Sequence, residues 1–404
     1  MKVLFLTFYF SPDLSAGSFR SQALVSALLN KLPDHSSLDV ITTLPNRYAS
    51  FSASAAEHEE SENLTVHRIP LPSHKSGMLD QSWAFLRYAR RVLRQTDGNE
   101  YDLVIATSSR LMTAVLGAWV AKRCRTKLYL DIRDIFIENL PFLLPRGLQW
   151  LGIRFFGALE RWAITRASIV NLASPGFDGY FSPRYPSQKF TWHTNGVDPV
   201  FSDRDASAFS NRSALVSSHS IPSFSGAKKR LKVLYAGNIG MGQGLDRILP
   251  GVAKRLEDRA DFIVIGDGGQ RALLEKSLRE NGVKNVDIRA PMHREQLLGE
   301  YHEADVLFLH LNNMSCFERV IPSKLFEYAA TGKPIWAGVR AFTARFCQEN
   351  ITNIAVFEPC DVDSALKEFD QLSLEEQSRN DFVESYRRDS IMKRMADDVV
   401  SLLQ

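Results

Sequence analysis

The segment I-P-S-K-L-F-E-Y-A-A-T-G-K-P-I (residues 321–335) sets a lysine, Lys324, and a glutamate, Glu327, three positions apart in a stretch that carries its own helix start and stop. Pro322 suits the first helical position, because its missing N–H would have no intrahelical acceptor there. Gly332 followed by Pro334 supplies a left-handed stop and a block to continuation. Lys324 and Glu327 then share one side of a short helix whose amide-rich, positive end begins near Ser323. Such a pair can serve a sugar nucleotide. The carboxylate accepts two hydrogen bonds from the vicinal hydroxyls of a ribose, while lysine and helix N-terminal amides hold phosphates. The same spacing also occurs in plain surface Lys–Glu pairs, and the segment alone does not choose between the two.

A second polar group, Asp131-Ile132-Arg133-Asp134, follows an apolar run with strand character. Strand C-termini line the crevice of an open α/β sheet. Asp134 is therefore a candidate to orient or deprotonate an acceptor hydroxyl, and Arg133 to contact phosphate. The alternative is an Arg–Asp pair that only fixes its loop. Glu138 is a spare carboxylate of the same kind, and His193 suits a solvent-facing position at a hinge. No D-x-D stands at a strand end as a cation site; Asp361-Val362-Asp363 lies in a late polar segment and suits a helix start. Cys124, Cys316, Cys347 and Cys360 are scattered without a C-x-x-C pair, which argues against structural zinc and a disulfide framework and suits a reducing cytoplasm.

These groups need a scaffold. At 404 residues and 45% hydrophobic content the chain is long enough for two domains, each with a core. A net charge of +3 is too small for a nucleic-acid binder. The apolar run 3–10 is too short to span a bilayer and lacks a convincing cleavage site, so it is expected to be a first strand. Strand patterns at 2–8, 39–42, 65–68, 103–106, 127–131 and 169–172 alternate with helical patterns such as 18–32 and 111–123. A second series has strands at 231–236, 261–265, 286–289, 306–309 and 335–337, with helices at 245–256, 270–281 and 324–331. This alternation implies βαβ units and doubly wound parallel sheets. Residues 203–229, rich in Ser, Ala and Lys, are expected to form a linker or long loop between the two series, and an amphipathic helix at 391–403 is expected to pack back on the first domain.

Glycine-rich turns follow several strands: Ser15-Ala16-Gly17-Ser18, the run 237–244 containing Asn238, Gly240 and Gln243, and Gly266-Asp267-Gly268-Gly269. Glycines let backbone amides approach a diphosphate closely. None matches G-x-G-x-x-G or G-x-x-x-x-G-K-[ST], so dinucleotide oxidoreductase and P-loop chemistry lose support. Two segments mix arginine with large apolar residues. Residues 81–95 carry Arg87, Arg90, Arg91 and Arg94 with no acid, and 141–162 combine Phe142, Trp150, Phe155 and Phe156 with Arg146, Arg154 and Arg161. They suit peripheral contact with an anionic membrane, or amphipathic helices packed on the sheet with a solvated basic face.

Taken in order, these motifs resemble the family 4 retaining glycosyltransferases of the GT-B fold, and most nearly bacterial enzymes of surface polysaccharide assembly such as lipopolysaccharide and capsule. The resemblance rests on F-Y-F-S-P-D-L-S-A-G-S-F-R (8–20), T-N-G-V-D (194–198), Y-A-G-N-I-G-M-G-Q-G-L (235–245), I-G-D-G (265–268), A-D-V-L-F-L (304–309) and the 321–335 segment. It implies two Rossmann-like doubly wound parallel-sheet domains facing across a cleft: an acceptor domain over 1–200, a nucleotide-sugar domain over 201–385, and a returning helix over 386–404. By resemblance, Glu327 corresponds to the second glutamate of an E-x7-E motif and binds the donor ribose. Lys324 and Ser323 face the donor sugar and diphosphate, Asn238, Gly240 and Gln243 lie beside the phosphates, and the backbone at Met292 reads the base. Gly17 leaves room for the phosphate or the transferred sugar.

The chain departs from the family pattern at three places: Arg319 occupies the first E-x7-E position, with Glu318 one residue off; Asn238 and Gln243 replace a frequent Arg and Lys; Ala290 replaces a glycine. The expected partners are a UDP- or GDP-linked donor and a glycan or undecaprenyl-diphosphate-linked acceptor, without metal, other cofactor or nucleic acid, in the cytoplasm at the inner face of the membrane. A nucleotide-sugar epimerase or hydrolase on the same fold is the enzymatic alternative. A two-lobed sugar-binding module is the non-catalytic one, and it would need an export signal.

Overall fold

The computed structural model describes residues 1–45, 55–71, 78–108, 111–202 and 230–404. The stretch read as a linker, 203–229, lies outside the described residues. The chain forms two compact units, Met1–Asn195 with Arg388–Gln404, and Gly196–Arg387. The division thus falls after Asn195 rather than after residue 200, and the second unit runs to Arg387.

In the first unit, β1 (Lys2–Leu6), β2 (Ser37–Thr43), β3 (His58–Ser61), β4 (Leu64–Ile69), β5 (Leu103–Ser108), β6 (Lys127–Ile132), β7 (Ile169–Leu172) and β8 (Phe190–Thr191) make one sheet in the order β3-β4-β2-β1-β5-β6-β7-β8. Every pairing is parallel except that of β3 with β4. The sequence order reverses between β1 and β5, which makes the carboxyl ends of those strands a topological switch point. β1 stops at Leu6, short of the expected residue 8; beyond it the Thr7 hydroxyl donates to the Tyr9 carbonyl at 2.9 Å as the chain turns.

In the second unit, β9 (Leu231–Ala236), β10 (Ala260–Ile265), β11 (Val286–Arg289), β12 (Val306–His310), β13 (Ile335–Gly338) and β14 (Ile354–Phe357) form a parallel sheet in the doubly wound order β11-β10-β9-β12-β13-β14. Its strands are apolar on both faces because both are covered. Leu234, Ile263, Leu307 and Ile335 join one core, while Val233, Phe262, Phe308 and Trp336 join another on the opposite face.

The first unit is tied together by a buried ion pair that the sequence reading passed over. Arg20, on the helix Ala16–Leu29, grips Asp131 of β6 with Nε and Nη2, each at 2.9 Å. The same guanidinium donates to the carbonyls of Thr194 at 2.5 Å and His193 at 2.8 Å, and Asn171 adds a 2.7 Å bond to Asp131. Burial pushes the Asp131 pKa upward, but the Arg20 charge and hydrogen bonds, with help from Arg133 and Asn171, hold it below the usual carboxylate range.

The last helix, Arg388–Val400, belongs to this unit and packs on Ala16–Leu29: Met395 Sδ lies 3.4 Å from Arg20, and Lys31 pairs with Asp397. His193 is not solvent-facing as expected, because Asp398 on that helix holds its Nε2 at 2.7 Å.

Replacing Arg20 by Leu leaves Asp131 buried without its cation and should cost about 3–5 kcal/mol in urea unfolding. Lys31→Ala, at the exposed pair with Asp397, should cost less than about 1 kcal/mol. Equal losses for the two variants would contradict the structural weight given to Arg20.

Candidate functional site

The helix that begins the candidate site runs Ser323–Ala330. Pro322 does not occupy its first position as expected; it caps the helix with φ −62° and ψ 134°, since its extended ψ keeps it outside the first turn. The stop is as the sequence suggests, with Gly332 at φ 75°. Leu325, Phe326, Glu327, Tyr328 and Ala329 are buried, so the helix presents its carboxylate to the interior.

Glu327 is only 4% exposed, which rules out a plain surface Lys–Glu pair. Lys324 Nζ donates to its Oε2 at 2.7 Å and to the Tyr301 hydroxyl at 3.0 Å, and Tyr301 donates to the same Oε2 at 3.2 Å. Arg294 Nη2 stands 3.6 Å from Oε1, while its Nη1 donates to Asp198 at 2.6 Å. Burial, reinforced by the Glu327 charge, pushes the Tyr301 pKa far up and keeps the phenol a donor. Tyr328 accepts from the Ala236 amide at 3.0 Å, which ties the helix to the end of β9.

From Ala236 the chain enters the glycine-rich loop. Asn238 Nδ2 and the Gly240 amide both donate to Gln243 Oε1, at 2.9 and 3.3 Å. Asn238 and Gln243 therefore brace each other across Gly240, where a Cβ would run into the Asn238 amide. The loop is also fixed from β12. His310 Nδ1 lies 2.6 Å from the Gln243 carbonyl and its Nε2 accepts from the Cys360 amide at 2.9 Å, so the ring is the neutral tautomer with its proton on Nδ1. Asn312 donates its side-chain amide to the Met241 carbonyl at 2.7 Å and its backbone amide to the Gly242 carbonyl at 2.8 Å. Burial lowers the His310 pKa to about 4. The turn Gly266-Asp267-Gly268 packs beneath: a Cβ on Gly268 would sit 2.5 Å from the Ile239 carbonyl.

Each expected site residue has a definite place. Ser323, Lys324, Glu327, Asn238, Gly240, Gln243 and Met292 belong to the second unit, where Met292 is half-buried against the core. Glu318, one position from the missing first glutamate, pairs with Arg340. Gly17, Arg133 and Asp134 belong to the first unit. Arg133 lies over Gly17, where any Cβ would meet its guanidinium. Asp134 is exposed and lines a small cavity with Ser108, Phe136, Glu160 and Phe181. In that cavity Glu160 accepts from Tyr180 at 3.2 Å and Tyr185 at 3.0 Å, and burial raises its pKa. Among the described residues no three His, Cys, Asp or Glu side chains gather as a metal-binding group. Arg294, Tyr301, His310 and Asn312 were missed in the sequence, where no motif set them apart.

Two doubly wound parallel-sheet domains, one of them with a buried carboxylate–lysine pair beside a glycine loop, define a protein of the GT-B fold class. Residues 27–187 match the glycosyl transferase 4-like domain and residues 219–389 the glycosyl transferases group 1 domain. The chain belongs to the family 4 glycosyltransferases. It is 29% identical over 126 residues to WcaI of Escherichia coli (strain K12), named for glycosyl transfer in colanic acid biosynthesis; the match spans 31% of this chain and 30% of that relative's length. Among solved structures it is similar to HepE of Anabaena, described in complex with UDP and glucose, at 14% identity and a TM-score of 0.63, covering 99% of this chain and 100% of that one. It is also similar to WaaG, described as involved in lipopolysaccharide biosynthesis, at 13% identity and a TM-score of 0.61, covering 99% and 97% of the two chains.

The His310 clamp has a pH signature. A ring that titrates near 4 when folded and near 6.5 when unfolded gives stability that is complete above pH 6.5 and is lost as pH falls towards 4. The full difference is about 3 kcal/mol. His310→Gln should flatten the unfolding free energy against pH across that window, and curves parallel to the parent's would contradict the assignment.

Proposed function

We propose that this chain is a retaining glycosyltransferase that moves a sugar from a nucleoside diphosphate donor to a glycan or polyprenyl-diphosphate-linked acceptor in cell-surface polysaccharide assembly, at the cytoplasmic face of the membrane. The observation that carries the reading is the buried Glu327 with Lys324 at 2.7 Å, on a helix whose first amides have no intrahelical acceptor. Glu327 would take the ribose hydroxyls. Lys324, the Ser323 amide and the loop around Asn238, Gly240 and Gln243 would hold the diphosphate, and the backbone at Met292 would read the base. The likeness to HepE, described with UDP and glucose, favours a uridine donor.

Breaking a glycosyl–phosphate bond develops positive charge on the sugar ring and negative charge on the departing diphosphate. Fixed donors at the diphosphate stabilise that charge separation more than the ground state. Lys324 and backbone amides supply such donors, so the step is written without a metal. Asp134 would orient or deprotonate the acceptor hydroxyl, and Arg133, resting on Gly17, would add positive charge.

Thermal unfolding against UDP-, GDP- and ADP-sugars tests the reading. One nucleotide class should stabilise the chain by about 3 kcal/mol at a hundredfold excess over Kd. Glu327→Ala should abolish that response. Product analysis with and without acceptor separates transfer from hydrolysis or epimerisation. No stabilisation by any of the three classes would overturn the proposal.

A further inference from the structure

We infer that the tip of a helical hairpin in the first unit docks the protein on an anionic lipid surface. The hairpin consists of the helices Phe136–Leu143 and Arg146–Arg166, joined through Leu144 and Pro145, and it carries the arginine-rich apolar segment 141–162. It is a formed element. Phe136 and Phe156 meet edge to face at 5.2 Å, Gln149 Nε2 donates to the carbonyls of Pro141 at 2.9 Å and Leu144 at 3.1 Å, and Gly152 lets Leu144 close in. Its base is rooted in the core by Leu140, Ala163 and Ile164.

The tip is different. Phe142, Leu148, Leu151 and Phe155 are exposed, and Trp150 is 68% exposed. At 100° per residue Leu148, Leu151 and Phe155 share one side of the helix while Trp150 points away from them, so apolar surface wraps the tip rather than forming one core-facing stripe. Large apolar side chains exposed on more than one side of a helix call for a cover that water does not provide. The other arginine-rich segment behaves otherwise. In the helix Met78–Gln95, Ala84, Phe85, Tyr88 and Val92 are buried, and the outer face exposes Trp83 and Leu86 beside Arg87, Arg90, Arg91 and Arg94. Packing satisfies the inner stripe of that helix and leaves two large apolar side chains outside, whereas the hairpin tip gathers Phe142, Leu148, Trp150, Leu151 and Phe155 at the surface, which makes it the stronger docking element.

Charge selects the occupant. From residue 139 to 159 the chain has no acid, while Arg146 and Arg154 are exposed among the apolar side chains. The Arg154 guanidinium lies 5.0 Å above the Trp150 ring. Tryptophan and arginine on one apolar tip suit the boundary between headgroups and acyl chains of a leaflet with anionic lipid. No described helix is long and apolar enough to cross a membrane, so the hairpin lies in the interface. This deepens the lipid-linked acceptor reading above, yet its test is independent of the donor.

The test uses the full chain and vesicles of phosphatidylcholine with or without phosphatidylglycerol, followed by sedimentation. The parent chain should bind the anionic vesicles, more weakly as salt rises. W150S/L151S/F155S should lower the partition coefficient about tenfold or more, and R146Q/R154Q should remove the preference for anionic over neutral vesicles. The unfolding midpoint and UDP binding of each variant report that the fold is kept. Absence of parent binding at low salt, or full binding by the triple variant, overturns the inference. So does a parent dimer that the triple variant dissociates while vesicle binding is unchanged, which would assign the tip to a second copy. Vesicle binding as expected in a chain that binds no nucleotide would uphold the docking surface and remove the donor reading.

Discussion

A carboxylate placed inside a protein is tolerated only where cations and hydrogen-bond donors surround it, and the second unit is arranged around meeting that demand at Glu327. Its partners come from separate elements. Lys324 is one turn earlier on the same helix, and Arg294 and Tyr301 come from the helix Arg294–Glu303. Arg294 is itself held on its other side by Asp198, from the N-G-V-D turn that opens the unit. Tyr328, next to Glu327, fastens the helix to β9, whose end becomes the glycine loop. Losing any one of these contacts leaves a buried charge short of a partner, so the position of the carboxylate is overdetermined.

The first unit uses the same physics to a different end. Asp131 sits near the carboxyl end of β6, on the edge where strand ends line a crevice, but Arg20 and Asn171 occupy both of its oxygens. It therefore serves as a fastening between the helix Ala16–Leu29, the strand ends and the 193–194 backbone. At the same edge Asp134 is exposed and the guanidinium of Arg133 rests on Gly17.

Much of this was legible in the residues. Parallel strands buried on both faces read as unbroken apolar runs, so β1, β5, β9, β10 and β12 stand out in the sequence. β3 does not, because His58-Glu59-Glu60-Ser61 is an exposed polar edge with no apolar alternation. Asp361 suited a helix start, and its side chain does accept from the Ser364 amide. The Lys324–Glu327 pair was visible from spacing, and its burial was not, since helical period says which residues share a side but not which side faces inward. Arg294, Tyr301 and His310 reach their partners only through the tertiary fold, across sequence separations that no local pattern encodes. His193 was misjudged for the same reason: its partner, Asp398, is 205 residues away.

The central claim is that Glu327 grips the diol of a ribose. It is tested most directly by titrating the chain with the nucleoside diphosphate it prefers and with the 2′-deoxy form of the same nucleotide, by calorimetry. The account predicts that removing the 2′-hydroxyl weakens binding about tenfold in the parent chain and makes no difference in Glu327→Ala. Equal affinity of the parent chain for both nucleotides would contradict it.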